Sequence, residues 1–169
     1  MYEIGDCIVK PGSGVCVVKD ILHLNMSGVD RNRLYYLLVP IEDAKEVIYM
    51  PTDTLSSNTR KVMTVDEARQ LIDKIPEVEE TWIENDKFRE QKYKEAIKSG
   101  KPEALVSMIK MIYLRRKKRA QQGKKSTAVD DRYFLLAENY LYAELGYVFC
   151  KEKKEVQQLI ADSINSKKS

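Results

Sequence analysis

The stretch Leu105-Val106-Ser107-Met108-Ile109-Lys110-Met111-Ile112-Tyr113-Leu114-Arg115-Arg116-Lys117-Lys118-Arg119 decides the reading of this chain, because an apolar half runs without a break into a basic half. The apolar half is too dense for a helix with one wet face, so it is expected to be the central rod of a helical domain. Pro102 suits the first turn of that helix, where a missing amide hydrogen costs nothing. The basic half continues into Gln121-Gln122-Gly123-Lys124-Lys125, and two readings of it stand side by side. It is either a solvated helix end that compensates the dipole, or a local patch for a polyanion.

Outward from the rod, the flanking sequence is helical too. Thr64-Val65-Asp66-Glu67 has the form of a capping box and opens a helix with Val65, Ala68, Leu71, Ile72 and Ile75 at helical spacing, ended by Pro76. A second box, Thr81-Trp82-Ile83-Glu84, opens a highly charged helix through Phe88, Tyr93 and Ile97 to Ser99-Gly100. Its sparse apolar spacing places it at the surface. After the rod, Ser126 or Thr127 caps a helix whose apolar face runs from Tyr133 to Val148, and Lys151 to Ile164 forms the last helix. Residues 57–169 therefore read as an all-α domain of about five helices.

Residues 1–56 read differently. Cys7-Ile8-Val9, Val15-Cys16-Val17-Val18, Tyr35 to Val39 and Val47 to Met50 are short β-branched and aromatic runs separated by turn residues such as Pro11-Gly12-Ser13-Gly14. About five antiparallel strands in so short a span predict a small SH3-like or Tudor-like barrel. Pro51 cannot donate to a ladder, so the strand before it is expected at an edge. The fold class is thus α+β, with a β module at 1–56 and a helical domain at 57–169.

Composition narrows the chemistry. Residues 1–56 hold 5 Lys/Arg against 8 Asp/Glu, and residues 57–169 hold 24 against 18, within a net charge of +3. A slightly acidic front joined to a basic back favours two partners of different kinds. Cys7, Cys16 and Cys150 lack close pairing and His23 is the only histidine, which fits a reducing cytoplasm and no metal framework. No secretory pattern opens the chain and no apolar run is long enough to span a bilayer, so no membrane partner is expected. Glu79-Glu80 and Asp130-Asp131 sit at helix starts, where carboxylates meet the dipole. The loop at Pro11 to Gly14 leads into a strand and is no phosphate loop. No enzyme, no cofactor and no small-molecule substrate is expected; a hydrolase or nuclease would need a metal site that these acids do not offer.

Trp82, the only tryptophan, is followed by Lys87, Arg89 and Lys92 on the same expected helix. An apolar wedge beside cations can insert at a base step while the cations fix phosphates. The competing reading is that Trp82 packs as a helix-start staple onto Val78 or Leu71.

Taken in order, Gly5-Asp6, Ile8-Val9, Pro11 and Gly14, then Ile48-Tyr49-Met50-Pro51, Lys98-Ser99-Gly100, Leu114-Arg115-Arg116 and Thr127 to Arg132 resemble the CarD and CdnL-like transcription regulators. The N-terminal module of that family is shared with the transcription-repair coupling factor. The resemblance implies that the front module binds the β subunit of bacterial RNA polymerase, largely by strand pairing through Ile48, Tyr49, Met50 and Pro51. It implies too that the helical back contacts promoter DNA at the upstream edge of the melted region and stabilises the open complex. The phosphate-facing residues expected are Lys87, Arg89, Lys92, Arg115, Arg116 and Arg132, with Trp82 as the wedge. Two positions depart from the family. The tryptophan is offset so that Asp86 falls at the wedge position, and Tyr49 stands where members carry arginine. A protein-interaction adaptor that does not touch DNA is the alternative.

Overall fold

The computed structural model describes residues 1–54, 59–78 and 85–166. The chain divides into two compact units, Met1–Val62 and Met63–Ser169.

The first unit is one five-stranded antiparallel sheet. Its strands are β1 (Cys7–Lys10), β2 (Gly14–His23), β3 (Leu34–Pro40), β4 (Ile48–Pro51) and β5 (Arg60–Lys61), in the spatial order β4-β3-β2-β1-β5. The turn between β1 and β2 closes with the Ser13 amide donating to the Lys10 carbonyl at 3.0 Å, and it needs positive φ at Gly12 (84°) and Gly14 (75°). Alternation along β3 buries Tyr36, Leu38 and Pro40 and leaves Tyr35, Leu37 and Val39 half-buried. Tyr36 and Leu38 join Ile8, Cys16, Val18 and Met50 in a single apolar face. The register of β2 shifts between Val18 and Asp20, a bulge that bends the long strand across its neighbour.

Two expectations are corrected here. Strand structure does not stop at residue 56: Arg60–Lys61 pair with Val9 and Ile8, and the Val62 amide extends that ladder to the Cys7 carbonyl at 3.1 Å. Nor is the sheet closed, because among the described residues no ladder joins β4 to β5, which are its two edges. His23 is exposed at the end of β2, opposite Leu34 in the hairpin that β2 forms with β3.

The second unit holds α1 (Val65–Asp73), a 3₁₀ turn (Ile75–Glu77), α2 (Asp86–Ser99), α3 (Pro102–Gln121), α4 (Ala128–Phe149) and α5 (Lys153–Asn165). Local signals set their ends. Thr64 Oγ1 accepts the Glu67 amide at 3.1 Å, Thr127 Oγ1 accepts the Asp130 amide at 3.1 Å, and Gly100 closes α2 in the left-handed conformation. α3 is the central rod: Leu105, Val106, Met108, Ile109 and Ile112 are all buried, against Tyr133, Ala137, Leu141 and Leu145 of α4 and Val156, Ile160 and Ile164 of α5. The box expected at Thr81 to Glu84 lies outside the described residues; the described part of α2 is capped by Asn85, whose Oδ1 accepts the Lys87 and Phe88 amides.

Polar groups inside this unit are matched to backbone ends. Lys110 is buried in α3, and its ammonium donates to the carbonyls of Ile75 (2.9 Å), Pro76 (3.1 Å) and Val78 (2.8 Å). It thereby satisfies the end of the 3₁₀ turn. Glu144, equally buried, accepts the Met63 amide at 2.9 Å.

Candidate functional site

In the first unit the surface to consider is the outer edge of β4. Leu38, Leu37, Tyr36 and Tyr35 of β3 stand opposite Ile48, Tyr49, Met50 and Pro51. The Thr52 amide donates to the Leu34 carbonyl at 3.0 Å, and this fixes the alternation: the backbone groups of Met50 and Ile48 turn toward β3, and those of Tyr49 turn outward. Pro51 removes a donor at the next outward position, as an edge strand permits. Met50 is buried beneath the strand, whereas Tyr49 is 42% exposed and Val47, just before the strand, is exposed. The four residues expected to form this surface therefore lie on an unpaired margin with an apolar, aromatic side chain on it.

Beside the start of β3, Arg33 donates through Nε to Asp53 at 2.8 Å and through Nη2 to Thr54 at 2.7 Å. The hydrogen bond from Arg33 holds the Asp53 carboxyl below the usual range. The pair ties down the chain that leaves β4.

In the second unit the expected cations have several fates. Arg89 is fully buried, with Nε 3.2 Å from Asp130 Oδ1 and Nη2 2.8 Å from Asp86. Arg115 is 11% exposed and donates through Nε to Asp130 Oδ2 at 2.7 Å. Both guanidinium groups thus turn into the protein, where the sequence reading had them facing phosphates. Asp130 accepts from the Tyr93 hydroxyl as well, at 2.8 Å, so one buried carboxylate joins α2, α3 and α4. Burial works to raise the Asp130 pKa, but the bonds from Tyr93 and Arg115 and the charges of Arg115 and Arg89 outweigh it and hold the carboxyl below its ordinary value. The Tyr93 hydroxyl is pushed far up, by burial first and then by Asp130. α2 is accordingly not a purely superficial helix: Arg89 and Tyr93 anchor it, while Phe88 is 67% exposed.

Arg116 is partly exposed; it donates to Asp131 at 2.6 Å and lies 4.1 Å over the Phe134 ring. Arg132 is exposed, bonded to Glu90 at 2.7 Å and set 5.0 Å from the centre of the Tyr133 ring. Lys92 faces solvent beside Glu95 at 3.7 Å, and Lys87 is exposed. Trp82 lies outside the described residues. The lysines of the basic run, which were not among the named phosphate-facing residues, sit at and just beyond the end of α3, where Lys117, Lys118, Lys124 and Lys125 are all exposed. The turn that presents them is closed by Arg119 Nε donating to the Lys125 carbonyl at 2.8 Å.

The importance of Asp130 had a signal in the sequence. Asp130, Tyr133, Ala137 and Leu141 fall on one helical stripe, so the carboxylate had to point inward with them.

Among the described residues no three His, Cys, Asp or Glu side chains gather as a metal site, and no helix is long and apolar enough to cross a membrane. Cys16 is buried, which pushes its thiol up to about 11.

Comparison with known proteins finds no match among curated sequences. A family model does match: residues 2–63 correspond to the CarD-like/TRCF RID domain. The matched span ends one residue past the compact sheet unit and takes in β5, so what is similar to the CarD-like/TRCF RID domain is the whole of the N-terminal unit.

Proposed function

We propose that the protein is a bacterial transcription regulator that binds the β subunit of RNA polymerase through the open margin of β4 and reaches promoter DNA with its helical unit, stabilising the open complex. The match of residues 2–63 to the CarD-like/TRCF RID domain is the observation that carries the polymerase half, since that domain is a polymerase-interacting one. The geometry of β4 supplies a means: outward backbone groups at Tyr49 can extend a partner strand, and the exposed Tyr49 ring can pack against it.

The DNA half rests on the exposed cations. Lys117, Lys118, Lys124 and Lys125, with Lys87, Lys92 and Arg132, take the phosphate-facing role, and Arg116 adds a half-exposed guanidinium. Anchoring one unit on polymerase raises the local concentration of the other at the promoter, so weak phosphate contacts suffice. Contacts made better to melted than to closed DNA would shift that equilibrium.

A second reading, an adaptor of polymerase without direct DNA contact, is favoured by one observation. Arg89, Arg115, Arg116 and Arg132 all carry carboxylate partners within the unit itself. Phosphates would have to compete with those partners.

The experiment is capture of RNA polymerase by the immobilised full chain, beside a Tyr49→Pro variant. Proline at this position removes an outward amide and leaves the ladder to β3 whole. Strong capture by the native chain and at least tenfold weaker capture by the variant is the expected result. No capture by the native chain would overturn the reading.

A further inference from the structure

Among the described residues three carboxylates lie buried in the helical unit, and two have hydrogen-bonding donors: Asp130 takes Arg89, Tyr93 and Arg115, and Glu144 takes the Met63 amide. Glu138 is the odd one. It is 7% exposed on α4, and among the described residues no hydrogen bond or ion pair reaches its carboxylate. Its oxygens are not among the fully enclosed atoms that lack a partner, so they keep contact with solvent, and they do so through the space in front of them.

That space is a cavity of about 260 Å³ between α3, α4 and α5. Tyr113, Phe134 and Tyr142 supply aromatic walls, Glu138 opens onto it, and Gln158 and Lys154 of α5 contribute polar groups. The volume is below that of a drug-sized pocket and fits a group of a few heavy atoms. A carboxylate only accepts, so its partner must donate, and aromatic faces attract positive charge. The Phe134 ring already receives one guanidinium, that of Arg116 at 4.1 Å.

We propose that this cavity is a binding site for a compact organic cation, an amine or a guanidine, whose charged head donates to Glu138 and lies against Tyr113, Phe134 and Tyr142. Burial pushes the Glu138 carboxyl up, and the positive charges of Lys153 and Arg116 act at longer range to lower it without bonding it. Tyr142 is buried beside it, and its hydroxyl is pushed far up by burial and by the Glu138 charge. An entering cation supplies the donor that these longer-range charges do not. The site is independent of the polymerase-binding edge, which belongs to the other unit.

The test uses the full chain and two probes of one shape, butylguanidinium and butylurea, which differ by a charge. Ring resonances of Tyr113, Phe134 and Tyr142 are followed by NMR as each probe is added. Butylguanidinium is expected to shift them saturably, with half-saturation on the order of 1 mM, as a ligand of this size allows. Butylurea should leave them in place. Glu138→Gln keeps the shape of the side chain and removes the charge, and it should raise the half-saturation concentration at least tenfold. Should that variant fail to fold, the melting temperature of the native chain decides, rising with butylguanidinium and not with butylurea. Equal response to both probes, equal response in Glu138→Gln, or no response to butylguanidinium at concentrations on the order of 10 mM overturns the proposal.

Discussion

Arg115 Nε donates to Asp130 Oδ2 at 2.7 Å across the seam between α3 and α4, and the carboxylate it meets is wholly shielded from water. Arg89 and Tyr93 reach the other oxygen from α2. One acid therefore bonds to groups on two other helices, beside the apolar contact of Tyr93 with Tyr133. Three residues of the expected DNA-facing set, Arg89, Arg115 and Arg116, are bonded to carboxylates of α4.

Replacing Asp130 by Asn keeps the volume and removes the charge that faces two guanidinium groups. Loss of one member of a buried ionic cluster costs about 3–5 kcal/mol, while an exposed pair such as Arg116 with Asp131 contributes up to about 1 kcal/mol. Urea unfolding should therefore show a large fall in midpoint for Asp130→Asn and a small one for Asp131→Asn. Similar, small losses in both would mean that the buried cluster contributes little.

The same acid sets a dependence on pH. Its folded pKa lies below the unfolded value of about 4, so its contribution is complete above that value and is lost as pH falls through the folded pKa. The charged and titrating groups facing it are Arg89 and Tyr93 from α2 and Arg115 from α3, and none of them changes charge in that range. Glu138 acts in the opposite sense, since its raised pKa favours the folded state as it protonates. Stability measured below about pH 4 should drop in the native chain more steeply than in Asp130→Asn. Parallel curves would remove Asp130 as the cause.

Gly146 lies near the end of α4, where alanine would ordinarily gain about 1 kcal/mol from helix propensity. Here a Cβ would come within 2.8 Å of the Lys151 carbonyl oxygen, which is backbone. The Lys151 amide itself donates to the Gly146 carbonyl at 2.9 Å, so the chain cannot retreat without breaking the end of the helix. Overpacking of this kind costs about 1–3 kcal/mol and outweighs propensity. Gly146→Ala is expected to lower the melting temperature by several degrees in calorimetry. A rise would show that the α4 to α5 turn yields more easily than its bonding indicates.

What could be read from the sequence divides along physical lines. Periodicity exposed α3, α4 and α5, and cap chemistry located Thr64, Gly100 and Thr127, because these signals are local. Pro51 announced an edge, and β4 is one. β5 escaped because two charged residues, Arg60 and Lys61, carry no pattern and are ordered only by pairing with a distant strand. The fates of Arg89 and Arg115 were equally hidden. A cation in sequence counts as surface by default, and only the inward stripe that begins with Asp130 says otherwise. The edge position of β4 was thus legible from chain order, whereas the burial of Arg89 and Arg115 leaves neighbouring lysines as the exposed cations at the end of α3.

That displacement gives the two functional readings different consequences. If the end of α3 meets phosphates, Lys117, Lys124 and Lys125 release counterions on binding, and each contributes roughly one unit to the slope of log affinity against log salt. All three are exposed, so changing them to alanine should leave the fold intact, unlike changes to Arg115. Association of the full chain with polymerase bound to promoter DNA, compared with polymerase alone, isolates the DNA contribution. The triple alanine variant is expected to lose the extra salt dependence seen with promoter DNA while binding polymerase alone as the native chain does. Identical slopes in the native and variant chains would favour the adaptor, and the lysines would then be a solvated helix end meeting the dipole.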